Sequence, residues 1–452
     1  MKRNRYTFGI GTIGRDMVYS MVSMYLIYYL TDVLEAPTAS LWWITGIIFC
    51  ARIFDALNDP VMGLIVDNTR GRFGRFKPWI AFGAAASGFM TILIFSGFDL
   101  SKGLNIVLFG VVYVLWGVFY TVNDISYWSM LPALSSDQKE RERIGAVARI
   151  CANIGLFAVA AGILVFTEAL GNIFGGLQKG YLAFAVIITA VLWVGQLVTL
   201  IGVKEPEDMA GKGGHTSIKE LISVIIRNDQ LLYTAISMAL FMIGYLTTTS
   251  FATYYFKYAY GDVNMYTVFA IILGVAQITA LAVFPVFSSR FERSALYMGA
   301  MAAVGAGYVL FFFASAGSIL IVGIAGMLIF VGQAFIQLLM LMFLADSVDY
   351  GHWKLGRRND SITFSLQPFI NKMGGAVSSG VVSSVVIISG MKDAESAAEV
   401  SAGGVLLMKV FMFIFPLACI LASYLLYKAK YRIDRKMYEY IVWELEQRKE
   451  NQ

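Results

Sequence analysis

Charge is scarce in this sequence. Lys, Arg, Asp and Glu make up 14% of its 452 residues, against about 25% in an ordinary soluble chain. So few charges cannot clothe a water-facing surface, and a soluble globular protein is excluded. Cysteine is scarcer still. Cys50, Cys151 and Cys419 are an odd number, far apart and set in apolar stretches, so neither a disulfide framework nor a metal site is implied. The two histidines, His215 and His352, both fall in polar stretches. No imidazole is therefore left in the apolar runs to relay a proton. With no HExxH pattern and no nucleophile–base pair, an intramembrane enzyme is not expected. Lys2, Arg3 and Arg5 precede an apolar run too long for a signal peptide and without a cleavage site. The net charge of +5 does not point to nucleic acid; in a chain this apolar it records which loops stay in the cytoplasm.

What the sequence has in quantity is apolar length. It is 58% hydrophobic and 14% aromatic, with a mean hydropathy of +0.68. A helix needs about 20 apolar residues to cross a bilayer core. Twelve such runs are read near 8–33, 41–66, 78–98, 104–129, 147–171, 180–203, 231–258, 264–288, 294–314, 318–345, 361–390 and 405–430. The expected fold class is an all-α polytopic membrane protein of two six-helix bundles. One bundle occupies residues 1–203, a cytoplasmic linker 204–230 containing Pro206, a second bundle 231–430 and a tail 431–452. Basic residues mark alternate loops. Arg70, Arg72, Arg75 and Lys77 follow the second run, Lys139, Arg141 and Arg143 the fourth, and Arg290 and Arg293 the eighth. Lys354, Arg357 and Arg358 follow the tenth, and the linker holds Lys204, Lys212, Lys219 and Arg227. The other loops hold chiefly Lys102, Lys179 and Lys392. Both termini are therefore expected in the cytoplasm.

A short repeat relates the halves. Val66-Asp67 is followed, after six intervening residues, by Gly74-Arg75, and Val348-Asp349 likewise by Gly356-Arg357. Matching loops at matching places suggest the parallel repeats of the major facilitator architecture. They make Asp67, Arg75, Asp349 and Arg357 candidate cytoplasmic gate residues.

Charges within the apolar runs cost about 2.5–3.5 kcal/mol each at a helix centre and default to function. Here they are Arg15, Asp16, Arg52, Asp55, Asp59, Asp124, Arg149 and Lys372, nearly all in the first half. Asp55 and Asp59 are four apart and share a helix face, with Asn58 between them. Two carboxylates in an apolar site need a proton, a basic partner or a hard cation. Asp55, Asn58 and Asp59, with Thr121 from the fourth run, offer the all-oxygen set that hard cations prefer. The plainer alternative is that the two aspartates pair with Arg52, Arg149 or Lys372 to hold the bundle together, which is an expensive way to stabilise a fold.

In the fourth run Trp116, Tyr120, Asp124 and Trp128 recur every four residues, giving one face with aromatic walls and a central carboxylate. Aromatic rings stack on the C–H face of a sugar, while carboxylate and guanidinium bind its hydroxyls. Arg15, Asp16 and Arg149 complete such a set. The plainer alternative is a packing stripe. Other charges read as bland: Asp137 to Arg143 as a solvated loop, and Glu35 and Glu168 as interfacial residues.

From Phe8 to about Tyr431 the chain resembles the glycoside–pentoside–hexuronide:cation symporters, a branch of the major facilitator superfamily typified by the melibiose permease. The resemblance is carried by Phe8-Gly9-Ile10-Gly11-Thr12-Ile13-Gly14-Arg15-Asp16 and by Ala51-Arg52-Ile53-Phe54-Asp55-Ala56-Leu57-Asn58-Asp59-Pro60. Arg72-Phe73-Gly74-Arg75-Phe76-Lys77-Pro78-Trp79, the stretch around Asp124, Ala345 to Gly351, and Gln367 with Lys372 add to it. It implies cation ligation by Asp55, Asn58, Asp59 and Thr121. It implies sugar binding by Asp16, Tyr120, Asp124, Trp128 and Arg149, with Lys372 bridging the two sites. Arg15 stands where the melibiose permease has Lys, and Pro368 where that protein has Thr after its Gln, so a different glycoside is expected, with xyloside carriers the nearest in local wording. Some relatives carry a phosphotransferase-type domain after the last helix; with the chain ending at Gln452, none is expected here. The implied activity is uptake of a small sugar coupled to Na+ or H+ by a monomer in the cell membrane. No other cofactor, no metal beyond Na+ at Asp55 and Asp59, and no nucleic-acid partner are expected. The rival within the same fold is a lysophospholipid carrier, against which Arg15, Asp16, Asp124 and Arg149 argue.

Overall fold

The computed structural model describes residues 2–450 apart from 70–72, 136, 204–217, 263–264, 315–317, 392–393 and 395–396. Arg70, Arg72, Lys204, Pro206, Lys212, His215 and Lys392 thus lie outside the described residues. Every regular element that is described is helical. The chain forms two compact units, Met1–Ile222 with Arg357–Ser365, and Ser223–Gly356 with Leu366–Gln452.

The first unit contains α1 (Lys2–Tyr28, prolonged by a π-helical turn Tyr29–Val33), α2 (Thr38–Asn68), α3 (Lys77–Ile94), α4 (Gly103–Ser129), α5 (Gln138–Phe174) and α6 (Leu177–Gly202). After α7 (Ile218–Arg227) come α8 (Asp229–Tyr254), α9 (Met265–Arg290), α10 (Arg293–Phe313) and α11 (Ile319–Leu355). Then follow α12 (Asp360–Ile388), α13 (Ala402–Lys409), α14 (Phe415–Lys430) and the tail helix α15 (Arg435–Glu450); a π-helical turn, Val410–Ile414, joins α13 to α14. Among the described residues eleven helices are long and apolar enough to cross a membrane. α1 is a twelfth long helix, and Arg3, Arg5, Arg15 and Asp16 lower its hydropathy. Trp42, Trp43, Leu104, Ile201 and Phe313 are largely exposed. Such a surface has lipid rather than water as its natural solvent.

Two helices run further than their apolar runs suggest. α5 begins at Gln138, so Lys139 to Arg143 are helical and not a solvated loop. Asp137 caps its start by accepting from the Lys139 amide at 3.1 Å, and Glu140 pairs with Arg5 at 2.7 Å. Arg141 and Glu142 are buried, with Arg141 donating to the Ser135 carbonyl. α11 continues to Leu355, where Gly356 adopts the left-handed conformation that ends it. His352 therefore sits in a last helical turn rather than in a loop.

In lipid, helices associate through close packing and hydrogen bonds rather than through a hydrophobic drive. α1 shows both, being held between α5 and α6. A Cβ on Gly14 would lie 2.3 Å from the Leu192 backbone nitrogen of α6, and one on Gly155 of α5 2.2 Å from the Ile13 carbonyl oxygen. Thr12 Oγ1 donates to the Ala148 carbonyl at 2.9 Å, and Gln196 Nε2 to the Gly11 carbonyl at 2.7 Å. α4 packs on α2 and α3, with Asn123 Nδ2 donating to the Ile80 carbonyl at 2.9 Å. The register of α1 against its neighbours is thereby set within one turn of Arg15.

Candidate functional site

The acid pair of α2 faces α4. Thr121 Oγ1 lies 2.9 Å from Asp55 Oδ1 and 3.3 Å from Asp59 Oδ1. Asp59 is fully buried; Asp55 and Asn58 are half-buried, and Arg52, a turn earlier, is exposed. One hydroxyl has one proton to give. Two carboxylates within its reach need further positive charge to remain ionised together. Pro60, inside α2, supplies no amide hydrogen to the carbonyl four residues back, that of Ala56. Asp55, Asp59 and Thr121 are thus brought together as an oxygen-rich turn, with Asn58 beside them on α2.

The second cluster joins α1 to α4. The Arg15 guanidinium, 2% exposed, lies 3.1 Å from Asp124 Oδ1 and 3.2 Å from Asp16 Oδ2. It also lies over the rings of Tyr127 and Trp128, at 5.0 and 5.2 Å. Arg149 of α5 also places its guanidinium over the Trp128 ring, at 4.5 Å. The carboxylates of Asp16 and Asp124 each keep 21% of their side-chain surface exposed. Two carboxylates open to solvent, organised by a buried guanidinium and flanked by an indole, can accept hydrogen bonds from hydroxyls of a polar solute.

The aromatic residues of α4 divide. Trp116 is 6% exposed and belongs to the apolar core, with its Nε1 donating to Thr91 Oγ1 at 3.1 Å. Tyr120 is half-buried and stacks on Trp116 with ring centroids 5.5 Å apart. Trp128 is also buried. The exposed ring on this face is Tyr19 of α1, which the sequence reading passed over. Its signal was its place four residues after Arg15.

Of the candidate gate residues, Asp67 and Arg75 pair directly. Asp67 also accepts from the backbone amides of Ser361 and Ile362, each at 2.8 Å, an anion at a helix N-terminus where the dipole favours it. Arg75 lies 3.1 Å from Asp360, which also pairs with Arg358 at 3.0 Å. Asp360 was not singled out from the sequence, and Arg358 entered only as a basic marker of its loop, since a carboxylate just after two arginines reads as an ordinary loop. Arg357 is exposed. In the second unit Asp349 is buried and accepts from the Tyr438 hydroxyl of α15 at 2.8 Å. Gln367 and Lys372 lie in that unit on α12, the first buried and the second half-buried. No group of three or more His, Cys, Asp or Glu side chains suited to hold a metal occurs among the described residues.

An all-helical membrane chain with polar clusters inside its first bundle is the architecture of a solute carrier. The chain belongs to the MFS/sugar transport protein family, whose pattern matches residues 7–435. It is a multi-pass membrane transporter of that family and not an enzyme. The raffinose carrier protein of Pediococcus pentosaceus is 31% identical to it over 98% of this chain and 71% of that one. The lactose permease of Lactobacillus delbrueckii subsp. bulgaricus is 30% identical over 98% and 72%. The isoprimeverose transporter of Lactiplantibacillus pentosus is 26% identical over 85% and 80%. Among solved structures, the E. coli fucose:proton symporter superposes with a TM-score of 0.68 at 14% identity, covering 95% of this chain and 98% of that one. The proton:xylose symporter bound to 6-bromo-6-deoxy-D-glucose gives 0.65 at 12% identity, covering 95% of each. These two likenesses speak for the fold.

Proposed function

We propose that this protein takes up a glycoside together with a monovalent cation, Na+ or H+, by alternating access. It does so as a monomer in the cell membrane with both termini cytoplasmic. The observation that carries the reading is the double service of α4. Thr121 on that helix touches the acid pair of α2, and Asp124, three residues on, touches Arg15 of α1. Three residues span about 4.5 Å of rise, so a change at either cluster is felt at the other through one rigid helix.

In this reading the cation binds Asp55, Asp59, Asn58 and Thr121 first and neutralises the acid pair. The sugar then binds Asp16, Asp124, Arg15 and Arg149, with Trp128 and Tyr120 as its apolar walls. Through the resemblance the proposal extends to Gln367 and Lys372. The names of the relatives, a raffinose carrier, lactose permeases and an isoprimeverose transporter, support a glycoside substrate. Asp67 with Arg75, and Asp349 with Arg357, are proposed as cytoplasmic gate residues. The arrangement of residues 1–203, 204–230, 231–430 and 431–452 as bundle, linker, bundle and tail completes the proposal. One positive charge crossing about 100 mV supplies roughly 2.3 kcal/mol. That supports roughly fifty-fold accumulation with a single cation per sugar.

The test is uptake of labelled pentosides and hexosides into membrane vesicles, with sodium and pH varied separately, beside the Asp124→Asn variant. Uptake of at least one glycoside should follow one of the two cation gradients. Asp124→Asn should lose glycoside binding by about 10²-fold or more while remaining folded in the membrane. Glycoside affinity unchanged in Asp124→Asn would move the sugar site elsewhere.

A further inference from the structure

Tyr19 has no part in the reading above, yet its setting is specific. It follows Arg15 by four residues, so the two share a face of α1 one turn apart. Its ring lies 5.2 Å from that of Tyr120 at an interplanar angle of 29°, and 6.5 Å from that of Trp116 at 21°. Trp116 in turn stacks on Tyr113, 6.0 Å away at 23°. Four rings with closely similar tilts thus form a ladder. Its inner members, Tyr113 and Trp116, are buried, whereas Tyr19 is 45% exposed. Of the four rings that of Tyr19 is the most exposed.

The contacts across the seam run antiparallel. Arg15 meets Asp124, and one turn along α1 Tyr19 meets Tyr120, one turn back on α4. The main packing partners of α1 are α5 and α6, and those of α4 are α2 and α3. The charge pair and the ring pair therefore reach across between two helices that pack mainly on others. The polar end, with Asp16, Asp124 and two guanidiniums, has donors and acceptors enough for the hydroxyls of one sugar ring. A step of about 5.4 Å along the helix, close to the offset between linked rings of a disaccharide, the surface changes from charged to aromatic.

We infer that Tyr19 is a specificity-determining residue that stacks on the second ring of the transported glycoside, whether a further sugar or an aromatic aglycone. The substrate class is then a glycoside of at least two rings rather than a free monosaccharide. This rests on the sugar reading of Arg15, Asp16 and Asp124, and deepens it.

The test measures binding of two ligand pairs to the purified full-length protein: 4-nitrophenyl and methyl galactoside, and 4-nitrophenyl and methyl xyloside. The wild type should prefer the nitrophenyl member of whichever pair binds. Tyr19→Ala should reduce that preference about tenfold. Tyr19→Phe should hold it within about twofold, because the ring face and not the hydroxyl makes the contact. Tyr19→Leu makes the same comparison where Tyr19→Ala fails to fold. An unchanged preference, or an equal loss for both members together with a lower melting temperature, would overturn the inference. Asp124→Asn separates the two levels. If it abolishes binding of both members while Tyr19→Ala leaves the preference intact, only the role of Tyr19 fails. If Asp124→Asn binds both normally, the sugar reading beneath it fails.

Discussion

At the scale of single residues, the cost of burying charge decides where function lies. Asp55 and Asp59 stood out in the sequence because two carboxylates a turn apart in an apolar run have few inexpensive explanations. The structure places the hydroxyl of Thr121, also a candidate from the sequence, within 3.3 Å of both. In the proposed site the same hydroxyl oxygen is a ligand of the cation, and an interaction with a charged group is worth about 1.5–3 kcal/mol. Thr121→Ala should therefore raise the half-saturating cation concentration about tenfold or more, with sugar exchange recovered at high cation, as measured by counterflow over a cation titration. An unchanged half-saturation would remove Thr121 from the cation site. Other buried charges were illegible. Arg141 and Glu142 sit in a polar run indistinguishable from a loop; Arg141 donates to the Ser135 carbonyl, and the neighbouring Glu140 pairs with Arg5 across 135 residues of chain. Local patterning carries no trace of so distant a partner.

At the scale of elements, the apolar runs located the helices well, since bilayer thickness sets their length. Their ends were less legible wherever a helix continues past the apolar run, as α5 does back to Gln138 and α11 on to Leu355. Beyond the membrane a helix is held by caps and ion pairs, which leave no hydropathy signal. The clasp on α1 was likewise invisible, because a glycine in sequence does not say which backbone it touches. Its consequence is testable. Gly14→Ala would press a methyl against the Leu192 backbone, which cannot yield as a side chain does. Such overpacking costs about 1–3 kcal/mol. We expect a lower melting temperature together with weakened glycoside binding, because Arg15 is the next residue. Full binding with normal stability would show that the register of α1 is set elsewhere.

The tail helix gives a second test at this scale. α15 lies against Tyr350 and Trp353 at the end of α11 through Tyr438 and Ile441, with Ile433 just before the helix joining the same cluster. Glu444 accepts from Trp353 Nε1 at 2.6 Å and pairs with Arg448. These bonds, that from Trp353 first, hold its carboxyl below the usual glutamate range. A depressed folded-state value contributes stability above the unfolded-state value, and that stability is lost as pH falls through the folded one. Amide protection in α15, corrected for the intrinsic pH dependence of exchange, should therefore fall on acidification below the ordinary glutamate range, and Glu444→Gln should abolish that fall. Protection that stays constant with pH in the wild type would show that Glu444 does not hold the tail.

At the scale of the whole molecule, membership of the sugar transport family rests on residues 7–435, which takes in the full span over which the sequence motifs resemble it. The repeat of Asp67 and Asp349 was legible, but their partners were not. Asp67 caps the amides of Ser361 and Ile362, so Arg357–Ser365 is part of the first unit. Asp349 is bonded by the tail. Sequence similarity between two loops does not report which distant segment each will hold. Coupling is likewise a property of the whole chain, since it requires that the acid pair and the sugar cluster act in one cycle. The direct measurement is sugar counterflow beside cation-driven uphill uptake in vesicles bearing Asp59→Cys. Counterflow that persists while uphill uptake disappears is the result we predict, because in the proposed cycle Asp59 ties the cation to transport without touching the sugar; uphill uptake at the wild-type level would contradict it.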